Sequence, residues 1–150
     1  MIMTEEKDLA TYCGLYCGDC FGYQGKIADL ARDLRKELRK AKFDKTAEAL
    51  SEVPFFATFK NYRQSYELLG ALVRFRCKRT CRGGGGPPHC NMRKCSQKKG
   101  LDGCWQCEDF ETCKHLDFLK PVHGEAHLKN LRILKNKGMD AFLASKRYWH

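Results

Sequence analysis

The feature that most constrains this chain is its cysteines, ten of them in close-spaced groups: Cys13-x3-Cys17-x2-Cys20, Cys77-x3-Cys81, Cys90-x4-Cys95, Cys104-x2-Cys107 and finally Cys113. Packing accounts for a few buried thiols but not for ten at such spacings. Two thiolates two to four residues apart can turn toward one ion, and a second pair completes a tetrahedral zinc site with zinc–sulfur distances of about 2.3 Å. The chain therefore has ligands enough for one or two zinc ions. The alternative for the same thiolates is an iron–sulfur cluster.

Ion ligation is preferred over disulfides because the first ten residues, with Glu5, Glu6, Lys7 and Asp8, lack the basic-then-apolar order of a secretory leader. A cytoplasmic protein is expected. The most apolar stretch, Leu68 to Val73, is too short for a membrane span, which needs about 20 apolar residues.

Cys90, Cys95, Cys104 and Cys107 form a local set that could close one site. Cys13, Cys17 and Cys20 would then take a fourth ligand from Cys77, Cys81 or Cys113 and tie the start of the chain to the cysteine-rich lobe. Gly14 and Gly18 allow a tight turn around an ion. His89 could replace a thiolate, although a histidine beside a ligand more often only hydrogen-bonds nearby. The N-terminal spacing also matches the cluster-binding cysteines of radical S-adenosylmethionine enzymes, but their full barrel takes about 250 residues and alternates strands with helices. No such alternation is present here.

His123-Gly-Glu125-Ala-His127 places two histidines at helical spacing, with the glutamate one position away from the zinc-protease arrangement. It reads as a helix start with solvated histidines. Cys113, near His115, is the candidate nucleophile if the chain is an enzyme. The leading reading is non-enzymatic.

Helical periodicity runs over residues 24–41 through Ile27, Leu30, Ala31, Leu34 and Leu38. A short helix should follow from Asp44, as N-cap, to Leu50. Phe55, Phe59, Tyr62, Tyr66, Leu69 and Val73 form a second stripe, expected to be core. Residues 77–113, with Gly83 to Gly86 and Pro87-Pro88, should hold little regular structure, with ligand bonds replacing a core. The tail regains periodicity at His127, Leu128, Leu131 and Leu134, and Gly138 should interrupt it before Met139, Phe142 and Leu143.

The expected architecture is mainly α: one domain over residues 1–150, helical over about 24–76 and 123–147, with a loop-rich, zinc-knuckle-like metal lobe at 77–113 joined by the cluster at 13–20. Between Arg74 and Lys99 stand nine basic residues and no acidic one (Arg74, Arg76, Lys78, Arg79, Arg82, Arg93, Lys94, Lys98 and Lys99). They offer a footprint for nucleic acid or another polyanion. Equally, they could offset the negative charge of thiolate-bound metal. A protein partner is the other candidate.

The run Tyr12-Cys13-Gly14-Leu15-Tyr16-Cys17-Gly18-Asp19-Cys20 resembles the start of a prokaryotic cysteine-rich family, domain of unknown function 3795. Cys81-Arg82-Gly83-Gly84, Gly86-Pro87-Pro88 leading to Cys90, Arg93-Lys94-Cys95, Lys98-Lys99-Gly100-Leu101, Cys104-x2-Cys107 and Cys113 are similar as well. So are Asn130-Leu131-Arg132 and Lys137-Gly138. The Cys77-x3-Cys81 gap departs from the closer pair common in that family. The resemblance implies metal binding by cysteines and no particular reaction.

Overall fold

The computed structural model describes residues 5–150; the leader reading at Met1 to Thr4 lies outside them. Among the described residues seven α-helices follow one another: α1 Phe21–Gln24, α2 Lys26–Lys40, α3 Phe43–Ser51, α4 Tyr62–Arg74, α5 Asn91–Lys98, α6 Lys120–His123 and α7 Ala126–Ala144. No strand is present among them, only an isolated antiparallel bridge between Ala10 and Tyr16. The mainly α class read from periodicity is the observed one. No described helix is long and apolar enough to cross a membrane. The chain divides into two compact units, Gln24–Arg76 and the remainder on either side of it.

In Gln24–Arg76, α2, α3, the 3-10 segment Pro54–Asn61 and α4 pack through small residues. Ala28, Ala31, Ala47 and Gly70 are buried, which lets the helices approach closely. The Arg35 guanidinium lies against Gly70 and stacks over Tyr66, 4.6 Å from its ring centre. Phe43 packs on Phe59 and Tyr62, with ring centres 5.9 and 5.6 Å apart. Arg76 binds the start of α2, donating to the Gly25 carbonyl at 3.1 Å and pairing with Asp29.

Three expectations change here. Ile27, Leu30 and Leu34 remain 47%, 60% and 49% exposed, because the alanines of α2 make the close contacts. Phe55 is 87% exposed and lies outside the aromatic core. Asp44 sits in the first turn of α3, and the cap position belongs to Lys42 in a left-handed conformation.

The other unit is built around α7. Cys13, Leu15, Met92, Phe110, Leu116, Leu119, Leu128 and Leu131 form one apolar cluster, and Ala10, Tyr16, Leu134 and Phe142 a second. The cysteine-rich stretch therefore shares an apolar core through Met92 and Phe110 and does not depend on ligand bonds alone. It also contains α5, which is more regular structure than its composition predicts. The Cys90 sulfur caps this helix, accepting from the Arg93 amide at 3.5 Å. Gly138, with φ of 81°, breaks α7 where the sequence indicated.

The C-terminal residues are fastened to the same unit. Buried Asn130 accepts from the Tyr148 amide at 2.9 Å and donates to its carbonyl at 2.8 Å. Arg147 pairs with Asp19 at 2.9 Å and lies over the Tyr16 ring.

Candidate metal centre

All ten cysteines are free thiols. Gly14 has φ of 84°, and a Cβ there would lie 2.8 Å from Leu131 Cγ, so the knuckle after Cys13 needs glycine both for conformation and for room. At Gly18 the Tyr16 ring occupies the space of a side chain. The 3-10 turn Cys17–Asp19 closes with the Cys20 amide donating to the Cys17 carbonyl at 3.0 Å. Cys104–Gln106 repeats that turn, with the Cys107 amide donating to the Cys104 carbonyl at 3.0 Å. Both C-x2-C segments thus share one local backbone form.

Cys95 on α5, Cys104 and Cys107 on their turn, and Cys113 at the end of the turn Phe110–Thr112 line one cavity of about 380 Å³. Asp109, His115 and Lys99 also reach its wall. Lys99 Nζ lies 3.7 Å from the Cys107 sulfur, and its pKa is raised by charge on Cys107 and Cys95. Burial pushes the Cys104 thiol up to about 12, despite a contact of 3.7 Å with the Ser96 hydroxyl. A bound cation would reverse that balance and favour the thiolate. The donor chemistry of this wall fits a soft or borderline ion.

Cys90 does not line that cavity; with Cys104 and Cys113 it packs against the apolar cluster containing Cys13. Cys113 lines the cavity with three members of the local set, Cys95, Cys104 and Cys107. Among the described residues no three His, Cys, Asp or Glu side chains are gathered tightly enough to hold an ion as they stand.

The other thiols lie nearer the N-terminal turn. The Cys81 amide donates to the Cys17 sulfur at 3.4 Å. Contact with the Cys81 thiol lowers the Cys17 pKa to about 7, assisted by the Cys81 amide and the charge of Arg82. Cys81 is shifted upward by the same contact. Cys13 is buried, its thiol raised by burial and bonded to the Thr11 hydroxyl at 3.1 Å. The Cys77 amide donates to Gly22 at 2.9 Å and the Cys104 amide to Tyr12 at 2.7 Å, so both flanks of the cysteine-rich stretch meet the N-terminal segment.

Sequence reasoning missed the structural work of two arginines. Arg82 donates to the Ala10 and Asp102 carbonyls at 2.7 Å each and lies over Tyr12. Arg93 donates to the carbonyls of Cys81, Gly85 and Pro87 at 3.0, 2.7 and 3.2 Å, holding the glycine-rich loop together. Lys78, Arg79, Lys94 and Lys98 are exposed. His89 is exposed too. His123 and His127 are buried at 8% and 0% exposure, not solvated, and the Trp149 ring packs edge-on against His123 with ring centres 4.7 Å apart. His123 Nδ1 lies 2.7 Å from the Trp149 carbonyl, whereas neither ring nitrogen of His127 has a partner among the described residues.

A family model described as a protein of unknown function (DUF3795) matches residues 9–118, which include every cysteine and end before Asn130. No curated protein and no solved structure matches the chain.

Proposed function

The chain belongs to the DUF3795 family of proteins of unknown function, and from that premise we propose that it is a zinc-binding protein whose metal is structural and whose basic lobe binds a polyanion such as nucleic acid. The observation that carries the metal reading is that Cys95, Cys104, Cys107 and Cys113 all line one cavity. These four would hold the ion, which would supply charge neutralisation and a cross-link between α5 and the turns after it. Lys99 supports this by placing its ammonium 3.7 Å from the Cys107 sulfur.

The polyanion reading rests on exposed Lys78, Arg79, Lys94 and Lys98, none of which forms a salt bridge among the described residues. Lys94 and Lys98 are four residues apart on α5 and share one face. Cytoplasmic residence agrees with ten unpaired thiols.

The test is elemental analysis of the full chain purified without air, together with a visible spectrum. Colourless protein containing zinc, with metal lost in Cys104→Ser and Cys113→Ser, is expected. Iron with sulfide and a brown colour would replace zinc with a cluster and move redox chemistry to the front. Full metal content in both variants would overturn the cavity assignment.

A further inference from the structure

Among the described residues of Gln24–Arg76 none larger than alanine is buried, whereas Ile27, Leu30 and Leu34 are about half exposed. Spaced three and four apart, these three share one face of α2. The contact with α4 leaves that face open. α4 runs antiparallel to α2, with Gly70 against Arg35 and Arg76 against Gly25 and Asp29, and the buried alanines of α2 fill the space between them.

The charges beside the face indicate what covers it. Lys26, four residues before Leu30, and Glu37, three after Leu34, lie along the same edge. Lys26 makes no ion pair among the described residues, and Glu37 makes one, an exposed contact of 3.9 Å with Lys40. An antiparallel pair of α2 helices that sets Leu30 of one copy on Leu34 of the other also brings Lys26 within one residue of the position opposite Glu37. Two-fold symmetry makes the same contact twice. An anionic lipid surface would instead meet Asp33 and Glu37 on that edge as like charges.

We propose that α2 is a dimer contact, in which two copies of this chain pair antiparallel through Ile27, Leu30 and Leu34 with a Lys26–Glu37 ion pair at either end. The pairing needs neither metal nor nucleic acid. One 15-residue helix from each copy makes a small interface, so the dimer should dissociate in the micromolar range.

Sedimentation equilibrium of the full chain tests this, with reductant present to prevent intermolecular disulfides and with salt at about 0.15 M, where charges are screened over about 8 Å. A species of twice 17.3 kDa that dissociates on dilution is expected. Leu30→Glu should leave only monomer at concentrations where the unaltered protein is dimeric. Lys26→Glu sets like charges together at both ends and should raise the dimer Kd about tenfold, as should Glu37→Lys. The two changes combined should restore it, and this charge exchange keeps the test intact if Leu30→Glu fails to fold.

A monomer at every concentration would overturn the proposal. Binding of that monomer to phosphatidylserine-containing vesicles, lost in Leu30→Glu, would assign the face to a membrane surface instead. A dimer that persists in Leu30→Glu would place the contact on another face, and charge variants that do not restore one another would exclude this register; either result overturns the pairing.

Discussion

The Cys81 amide donates a hydrogen bond to the sulfur of Cys17 across 3.4 Å, joining positions 64 residues apart in sequence. The contact has a chemical consequence in the reduced, metal-free chain. The Cys81 thiol and amide both stabilise a Cys17 thiolate, which places its pKa at about 7. Thiolate absorbance from Cys17 should therefore rise near pH 7. Cys81→Ala should remove that early step. An unchanged titration curve in Cys81→Ala would show that the contact does not set the charge on Cys17.

His127 gives the fold a second dependence on pH. It is fully buried, neither ring nitrogen is bonded among the described residues, and burial lowers its pKa below 6.5. Glu125 and Asp117 oppose that shift, while His123 and Lys120 add to it. The unfolded chain thus binds a proton more readily than the folded one, so stability is present above pH 6.5 and falls as the pH drops below it. His127→Leu removes two unsatisfied polar atoms and should stabilise the fold by about 1 kcal/mol at neutral pH. It should also flatten the loss below pH 6.5. Denaturant midpoints measured across this range give both results, and an equally steep loss in the variant would exclude His127 as its source.

Much of the helical framework was legible because periodicity is local. The residues spaced three and four apart in 24–41 and around Tyr62 and Tyr66 led to α2 and α4, and Gly138 marked a true break. Which thiols line the cavity was not legible: spacing alone joins Cys90 to Cys95, yet Cys90 caps α5 while Cys113 reaches the cavity, an outcome decided by how the turns fold back. α5 itself was hidden because only Met92 and Ser96 among its residues are buried, leaving a weak apolar pattern. His123 is covered by Trp149, far from the motif in sequence.

Arg93 shows how a basic side chain can belong to the fold and not to a binding face. Its guanidinium serves three loop carbonyls, of Cys81, Gly85 and Pro87. Arg93→Ala should cost about 2 kcal/mol, because removing a charged donor leaves its acceptors without partners. Hydrogen exchange should quicken at the Gly85 amide, which is bonded to the Thr80 carbonyl at 2.8 Å. Undiminished stability together with unchanged exchange would mean that the loop holds its shape without the arginine.

Lys94 and Lys98 provide the complementary case, since both are exposed on α5 and neither holds a loop carbonyl. Reversing both to Glu should leave any bound metal and the denaturation midpoint unchanged. Affinity for a single-stranded oligonucleotide should fall, and the slope of log affinity against log salt should shrink by about 1 for each phosphate that is no longer neutralised. The comparison with Arg93→Ala matters because a folding defect would lower affinity and stability together, whereas removal of an electrostatic footprint lowers affinity alone. If neither affinity nor salt slope changed, the positive charge of this stretch would belong with the cysteines instead, where Lys99 already stands 3.7 Å from the Cys107 sulfur.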